Sequence, residues 1–153
     1  MAATTEVSQL IRAPQKTIYE AFLDPARLAQ WRAPTGMKAH VHSFDPREGG
    51  AYRLSLTYTN PESSQRGKTT FDTDTFQGRF LELAPYERIV EAITFESSNP
   101  GLAGVMIVTS TFALAGQGTE VTVICANLPP AIRPEDNELG CRLSLQNLAR
   151  LVE

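Results

Sequence analysis

The side chains able to do chemistry in this chain fall into small sets. His40 and His42 stand two apart in a segment, residues 37–44, that reads as a strand, so both project from one face together with Lys38 and Phe44. Histidines at that spacing supply part of a zinc site. Neither Cys-x-x-Cys nor His-Glu-x-x-His is present to complete it, so a solvent-facing pair with no metal is expected. Asp72 and Asp74 are also two apart, and paired carboxylates serve acid–base catalysis or cation binding. The mixed polarity of their segment favours a solvated face. Continued alternation through Phe76, Gly78 and Phe80 would instead aim Asp74 at a cavity rim, and both readings stay open.

Tyr52 and Tyr58 share an alternating face with Leu54 and Leu56, where a tyrosine serves either as core or as a hydrogen-bond donor to a ligand carbonyl. Met106, Val108, Ser110 and Phe112 form a similar stripe; Ser110 has no recognisable His–Asp partners and is not read as a nucleophile. Trp31 reads as a core or lid aromatic, or as a wall at a pocket mouth. Cys125 and Cys141 are too few for a disulfide framework and read as reduced, buried thiols. Gly49-Gly50 lacks the Lys-Ser/Thr and the strand-to-helix setting of a phosphate loop and reads as a hairpin turn needing positive φ.

The elements that must position these groups follow from periodicity. Residues 5–13 alternate as a first strand, and Pro14 suits the first turn of a helix carrying Ile18, Ala21 and Phe22. Asp24-Pro25 ends it and opens a second short helix with Leu28 and Trp31 on one face. Strands are then expected at residues 37–44, 51–59, 70–83 (Gly78 marking a bulge or close-packing point), 88–96 with Ile89, Ile93 and Phe95 on one side, 105–114 and 119–128. The polar stretch 60–67 reads as a turn. A final helix opens near Pro134, with Cys141, Leu145, Leu148 and Val152 at i, i+4, i+7 and i+11 on one stripe. Gly140 is expected to let that helix approach the sheet. The fold class is thus α+β: a strongly curved antiparallel sheet gripping a long C-terminal helix, two short helices after the first strand, and one domain over residues 1–153.

The chain has 153 residues, 42% hydrophobic and 20% charged, with net charge −3, which excludes the basic footprint of a nucleic-acid binder. No apolar run approaches the ~20 residues of a membrane span, and the N-terminus lacks a signal-peptide pattern, so a cytoplasmic location is expected.

Six motifs in order resemble the START-like (SRPBCC, polyketide cyclase-type) superfamily, and within it the family of the activator of heat-shock protein 90 ATPase homologue. They are Ile11-Arg12-Ala13-Pro14 leading to Ile18-Tyr19-Glu20-Ala21-Phe22; Trp31 with Pro34 and Gly36; residues 45–53 from Asp45 to Arg53; Gly78-Arg79-Phe80-Leu81-Glu82-Leu83-Ala84-Pro85 with Arg88-Ile89-Val90; Gly118-Thr119-Glu120-Val121-Thr122-Val123; and the helix at Gly140. The resemblance implies the helix-grip fold. It also implies a choice among ligand carriers, cyclase-type enzymes and chaperone-binding domains. The family commonly carries tryptophan after the helix glycine, where this chain has Cys141; unless its neighbours collapse inward, the smaller side chain enlarges the space under the helix.

The expected function is binding of a small apolar or aromatic ligand. The expected lining is Trp31, Tyr52, Leu54, Tyr58, Phe76, Phe80, Phe95, Met106, Val108, Phe112, Cys141, Leu145 and Leu148. No cofactor is called for. An enzymatic reading would need a buried acid–base group, with Asp74, His42, Tyr58 and Arg79 as candidates. A chaperone contact has low weight, because that activity belongs in the resemblance to larger proteins with an added domain. Open strand edges would permit a homodimer.

Overall fold

The structure is a computed structural model and describes residues 2–59 and 73–153. Asp72, the start of the strand expected at 70 and the turn expected at 60–67 lie outside the described residues. The elements run β1 (Thr5–Ile11), α1 (Gln15–Leu23), α2 (Pro25–Trp31), β2 (Met37–Phe44), β3 (Ala51–Tyr58), β4 (Thr73–Ala84), β5 (Arg88–Phe95), a 3₁₀ turn (Pro100–Leu102), β6 (Met106–Ala115), β7 (Gly118–Ala126) and α3 (Pro134–Val152). The strands form one sheet in the order β1-β7-β6-β5-β4-β3-β2, every pairing antiparallel. The short turns joining β2 to β3, β4 to β5 and β6 to β7 favour that arrangement. The result is the α+β helix-grip architecture.

Local chemistry explains the boundaries. Asp24 caps α2, its carboxylate accepting from the amides of Ala26 (3.0 Å) and Arg27 (3.5 Å), with Pro25 in the first turn. Gly49 takes φ +80° in the β2–β3 turn, a conformation that disfavours any side chain. The Thr119 hydroxyl, fully buried, donates to the Ala13 carbonyl at 2.8 Å and fixes the exit from β1. Ser144 Oγ donates to the Arg32 carbonyl at 2.7 Å and Asn147 Nδ2 to the Ala33 carbonyl at 3.0 Å, tying α3 to the end of α2.

Alternation buries one face of the sheet. On β4, Asp74, Phe76, Gly78 and Phe80 turn inward. On β3, Tyr52, Leu54 and Leu56 do so opposite Gly78, Phe76 and Asp74. The helix α3 packs along β1 and against α1 and α2.

Two expectations are corrected, and a third, Gly78 as a close-packing point, is met. The β2–β3 register shifts between Val41 and Ser43, and this bulge turns Phe44 inward, away from the face of Lys38, His40 and His42. Phe44 accordingly packs on Tyr52 and Phe80, each with ring centroids 5.7 Å away. Gly140 does not face the sheet: a Cβ there would meet only Pro34 Cγ, at an ordinary 3.8 Å. The close-packing glycine is Gly78, where a Cβ would stand 2.0 Å from Cζ of the Tyr52 ring.

Candidate functional site

Between the concave face and α3 lies a pocket of about 540 Å³. Its apolar wall comes from β2 to β7, and most of it from alternate positions on β3 to β6. Tyr52, Leu54 and Tyr58 come from β3, Phe76 and Phe80 from β4, Phe95 from β5, and Met106 and Val108 from β6. Trp31, at the end of α2, closes one side; its indole N–H donates to the Ala21 carbonyl at 3.0 Å, so its polar atom is already satisfied. Cys141 and Leu145 of α3 form the roof.

Phe112 and Leu148 do not line this space. Phe112 lies one inward position beyond Ser110 along β6, where the rings of Phe22 (5.1 Å) and Tyr19 (6.0 Å) fill the volume around it. Leu148 is fully buried about one turn past Leu145, in core rather than in the pocket wall. Both face the interior as periodicity expects, but at a level where the interior is packed.

The acid–base candidates separate in the same way. Asp74 is buried, not on a solvated face, and lines the pocket with Tyr58. Partial burial raises the Tyr58 hydroxyl above its ordinary pKa, with Asp74 and Asp136 adding to the effect. His42 and Arg79 sit on the convex face. His42 Nε2 is 2.7 Å from Ser55 Oγ, and Arg79 Nη1 donates to the Gly49 carbonyl at 2.9 Å. Desolvation, then Arg53 and His40, lowers the His42 pKa. The rings of His40 and His42 meet edge to face at 4.5 Å, but among the described residues no three His, Cys, Asp or Glu side chains gather as a metal ion would require.

The polar centre of the pocket includes two residues that the strand and helix patterns did not single out. Glu91 projects inward from β5, opposite Phe80, and accepts a 2.6 Å hydrogen bond from the Tyr52 hydroxyl. Loss of water outweighs the opposing influence of Arg32 and of the Tyr52 bond, and holds the Glu91 carboxyl above the ordinary carboxylate range. Burial likewise raises the Tyr52 hydroxyl well above its ordinary value. Glu91 was discoverable: it occupies the one polar position in the stripe Ile89, Glu91, Ile93, Phe95. Arg32 follows α2 and lays its guanidinium over Phe76, with Cζ 5.6 Å from the ring centroid. No periodic pattern marks it, because it lies where a seven-residue helix ends.

Cys125 and Cys141 meet at the wall where β7 faces α3. The hydrogen bond between the thiols favours ionisation of Cys125, lowering it to about 7, and disfavours ionisation of Cys141. Both cysteines are free.

A family model described as Activator of Hsp90 ATPase homolog 1-like protein matches residues 12–153. None of the curated proteins matches. Among solved structures, the crystal structure of a protein from Chromobacterium violaceum is similar with a TM-score of 0.87 and 37% identity, over 98% of this chain and 96% of that one. A crystal structure from Rhodobacter sphaeroides (TM-score 0.74, 20% identity, 99% and 93% coverage) shares the fold. So does a solution structure from Arthrobacter aurescens (TM-score 0.77, 16% identity, 99% and 86% coverage).

Proposed function

The chain belongs to the Activator of Hsp90 ATPase homolog 1-like family, and from that premise we propose that it binds a small apolar or aromatic molecule beneath α3, with residues 1–153 acting as one domain. The observation that supports this reading is the pocket between the concave face of the sheet and α3. The space of about 540 Å³ is within the range of small-molecule sites, is walled mainly by aromatic and aliphatic side chains, and has a few polar groups converging on it. Transfer of apolar ligand surface from water at roughly 25 cal/mol per Å² would drive association, and the polar groups would set orientation.

The test is a thermal-shift and calorimetric screen against fatty acids, steroids and polycyclic aromatics, repeated with Cys141→Trp. The substitution places an indole where the thiol roofs the pocket. Binding by the parent protein and at least about tenfold weaker binding by a folded Cys141→Trp variant is the expected result. Indifference of every bound compound to that substitution would place binding elsewhere and defeat the reading.

A second reading, an enzyme of the cyclase or hydrolase type, is favoured by one observation. Tyr52 and Glu91 form a hydrogen-bonded pair inside the pocket, and Glu91 is displaced toward neutrality. A carboxyl tuned upward is suited to proton transfer near neutral pH. Turnover of a bound compound that falls at least about a hundredfold in Glu91→Gln supports this reading; equal turnover by the variant removes it.

A further inference from the structure

We propose that the pocket takes an apolar or aromatic carboxylate, anchored through its carboxyl oxygens by the guanidinium of Arg32. The inference rests on the binding reading above and names the chemical class of the occupant.

Arg32 contributes to the pocket lining, and among the described residues no carboxylate lies within ion-pair distance of it. Its recorded side-chain contact is with the face of Phe76. A cation–π contact on one face leaves the in-plane N–H donors of the guanidinium without an anionic acceptor.

The pocket carboxyl whose ionisation Arg32 influences is Glu91, and Glu91 is already engaged. It accepts the Tyr52 hydroxyl at 2.6 Å and makes no ion pair with Arg32. Asp74 and Asp136 also line the pocket, beyond ion-pair distance of Arg32, and both raise the Tyr58 hydroxyl.

The shape of the remaining wall completes the class. Phe76 holds the guanidinium on one side, and Tyr52, Phe80 and Phe95 continue the aromatic surface around it. A planar fork of N–H donors matches a carboxylate bidentately and forms a charge-assisted pair with it. A ligand with an apolar body and a single carboxylate satisfies both surfaces. A matched alcohol or amide satisfies only one.

The test uses matched probes on the full chain: 2-naphthoate against 2-naphthamide and decanoate against decanol, measured by calorimetry at pH 7.5. The acid of each pair is expected to bind at least about tenfold more tightly than its neutral partner. Arg32→Gln is expected to abolish that difference while retaining affinity for the neutral partner, and the matched substitution Arg53→Gln, outside the pocket lining, to leave the difference intact. Arg32→Lys, which keeps the charge but loses the fork, should retain a reduced preference.

If neutral partners bind the parent protein as tightly as the acids, or if the acid preference survives in folded Arg32→Gln, the anchor is refuted while the binding pocket stands. If no member of either pair binds, the binding reading falls and takes the anchor with it. The acid–neutral comparison in the parent protein decides the question even where a variant fails to fold.

Discussion

Two arginine–glutamate clusters lie on opposite faces of the same sheet, and their carboxyls are displaced in opposite directions. On the convex face Arg53 grips Glu96 with two hydrogen bonds, 2.6 and 2.9 Å, and Gln77 adds a third at 3.1 Å. The bonds to Arg53 lead in holding Glu96 down at about 2. On the concave face Arg32 and Glu91 share the pocket without an ion pair, and lost hydration pushes Glu91 up. The residue types are the same; access to water and geometry decide the sign. The outer cluster is complete within the protein. In the inner one the guanidinium lies over the Phe76 ring, and among the described residues no carboxylate is within ion-pair distance of it.

The largest expected break in this comparison comes from adjacent residues of β4. Gly78 faces inward under the Tyr52 ring, and a Cβ there would overlap the ring at 2.0 Å from Cζ. Tyr52 has little room to yield, since Phe44, Phe76 and Phe80 surround it. Gly78→Ala should therefore cost about 1–3 kcal/mol and disturb the Tyr52–Glu91 bond. The corresponding fall in Tm is about 3–10 °C for a chain of this size. Gln77→Ala, one residue away on the convex face, should change stability by less than about 0.5 kcal/mol. Equal effects from the two variants in parallel thermal melts would mean that the inner cluster is not tightly packed.

How far such sites can be read in advance depends on the level at which each is determined. The strands, Asp24 as a helix cap and the stripe on α3 follow from local periodicity and capping chemistry, and the structure places them within a few residues of expectation. The inward face of β3 was equally legible. Phe44 was not, because one extra residue at the β2 bulge reverses the alternation without a composition signal. Phe112 and Leu148 were assigned to the right face, but whether an inward residue meets a void or a neighbour depends on distant parts of the chain. Glu91 was visible as the single charge in an apolar stripe, and Asp74 as a residue whose polarity and alternation disagreed. Polar residues that violate a strand's pattern thus carried more information about the site than the aromatic residues that obeyed it.

The next effect is on the pH dependence of stability. Glu91 is faced by Arg32 from the end of α2 and by Tyr52 from β3. Its pKa is raised in the folded chain, so the native state holds this proton more firmly than the unfolded state does. Its contribution is therefore fully present at low pH and is lost as pH rises from the ordinary carboxylate range through the raised value. Glu91→Gln keeps an acceptor for Tyr52 and removes the ionisation. Tm measured across pH 4 to 9 should fall more steeply in the parent than in the variant, with a divergence of a few degrees at the alkaline end, on the order expected for one desolvated charge. Parallel curves would show that Glu91 is ionised in the fold and would remove the contrast with Glu96.

The smallest effect sharpens the other side of the comparison. Glu96 is depressed in the folded chain, from an ordinary 4.5 to about 2. The unfolded chain therefore takes up this proton first as the solution is acidified, and the stability that the Arg53 pair supplies is present above the ordinary value and lost between about 4.5 and about 2. Both side chains retain substantial exposure, 43% for Arg53 and 29% for Glu96, so water and salt screen most of the attraction. Glu96→Gln should accordingly lower Tm at pH 7 by no more than about 2 °C, and the difference should vanish near pH 2, where the parent carboxylate is itself becoming neutral. Salt should shrink the pH 7 difference more than it changes the Glu91→Gln profile, because the outer pair lies on the open face of the sheet and the inner carboxyl lies within the pocket. A salt-insensitive loss several times larger than this would mean that the convex cluster is shielded from water, and that burial alone does not distinguish the two faces.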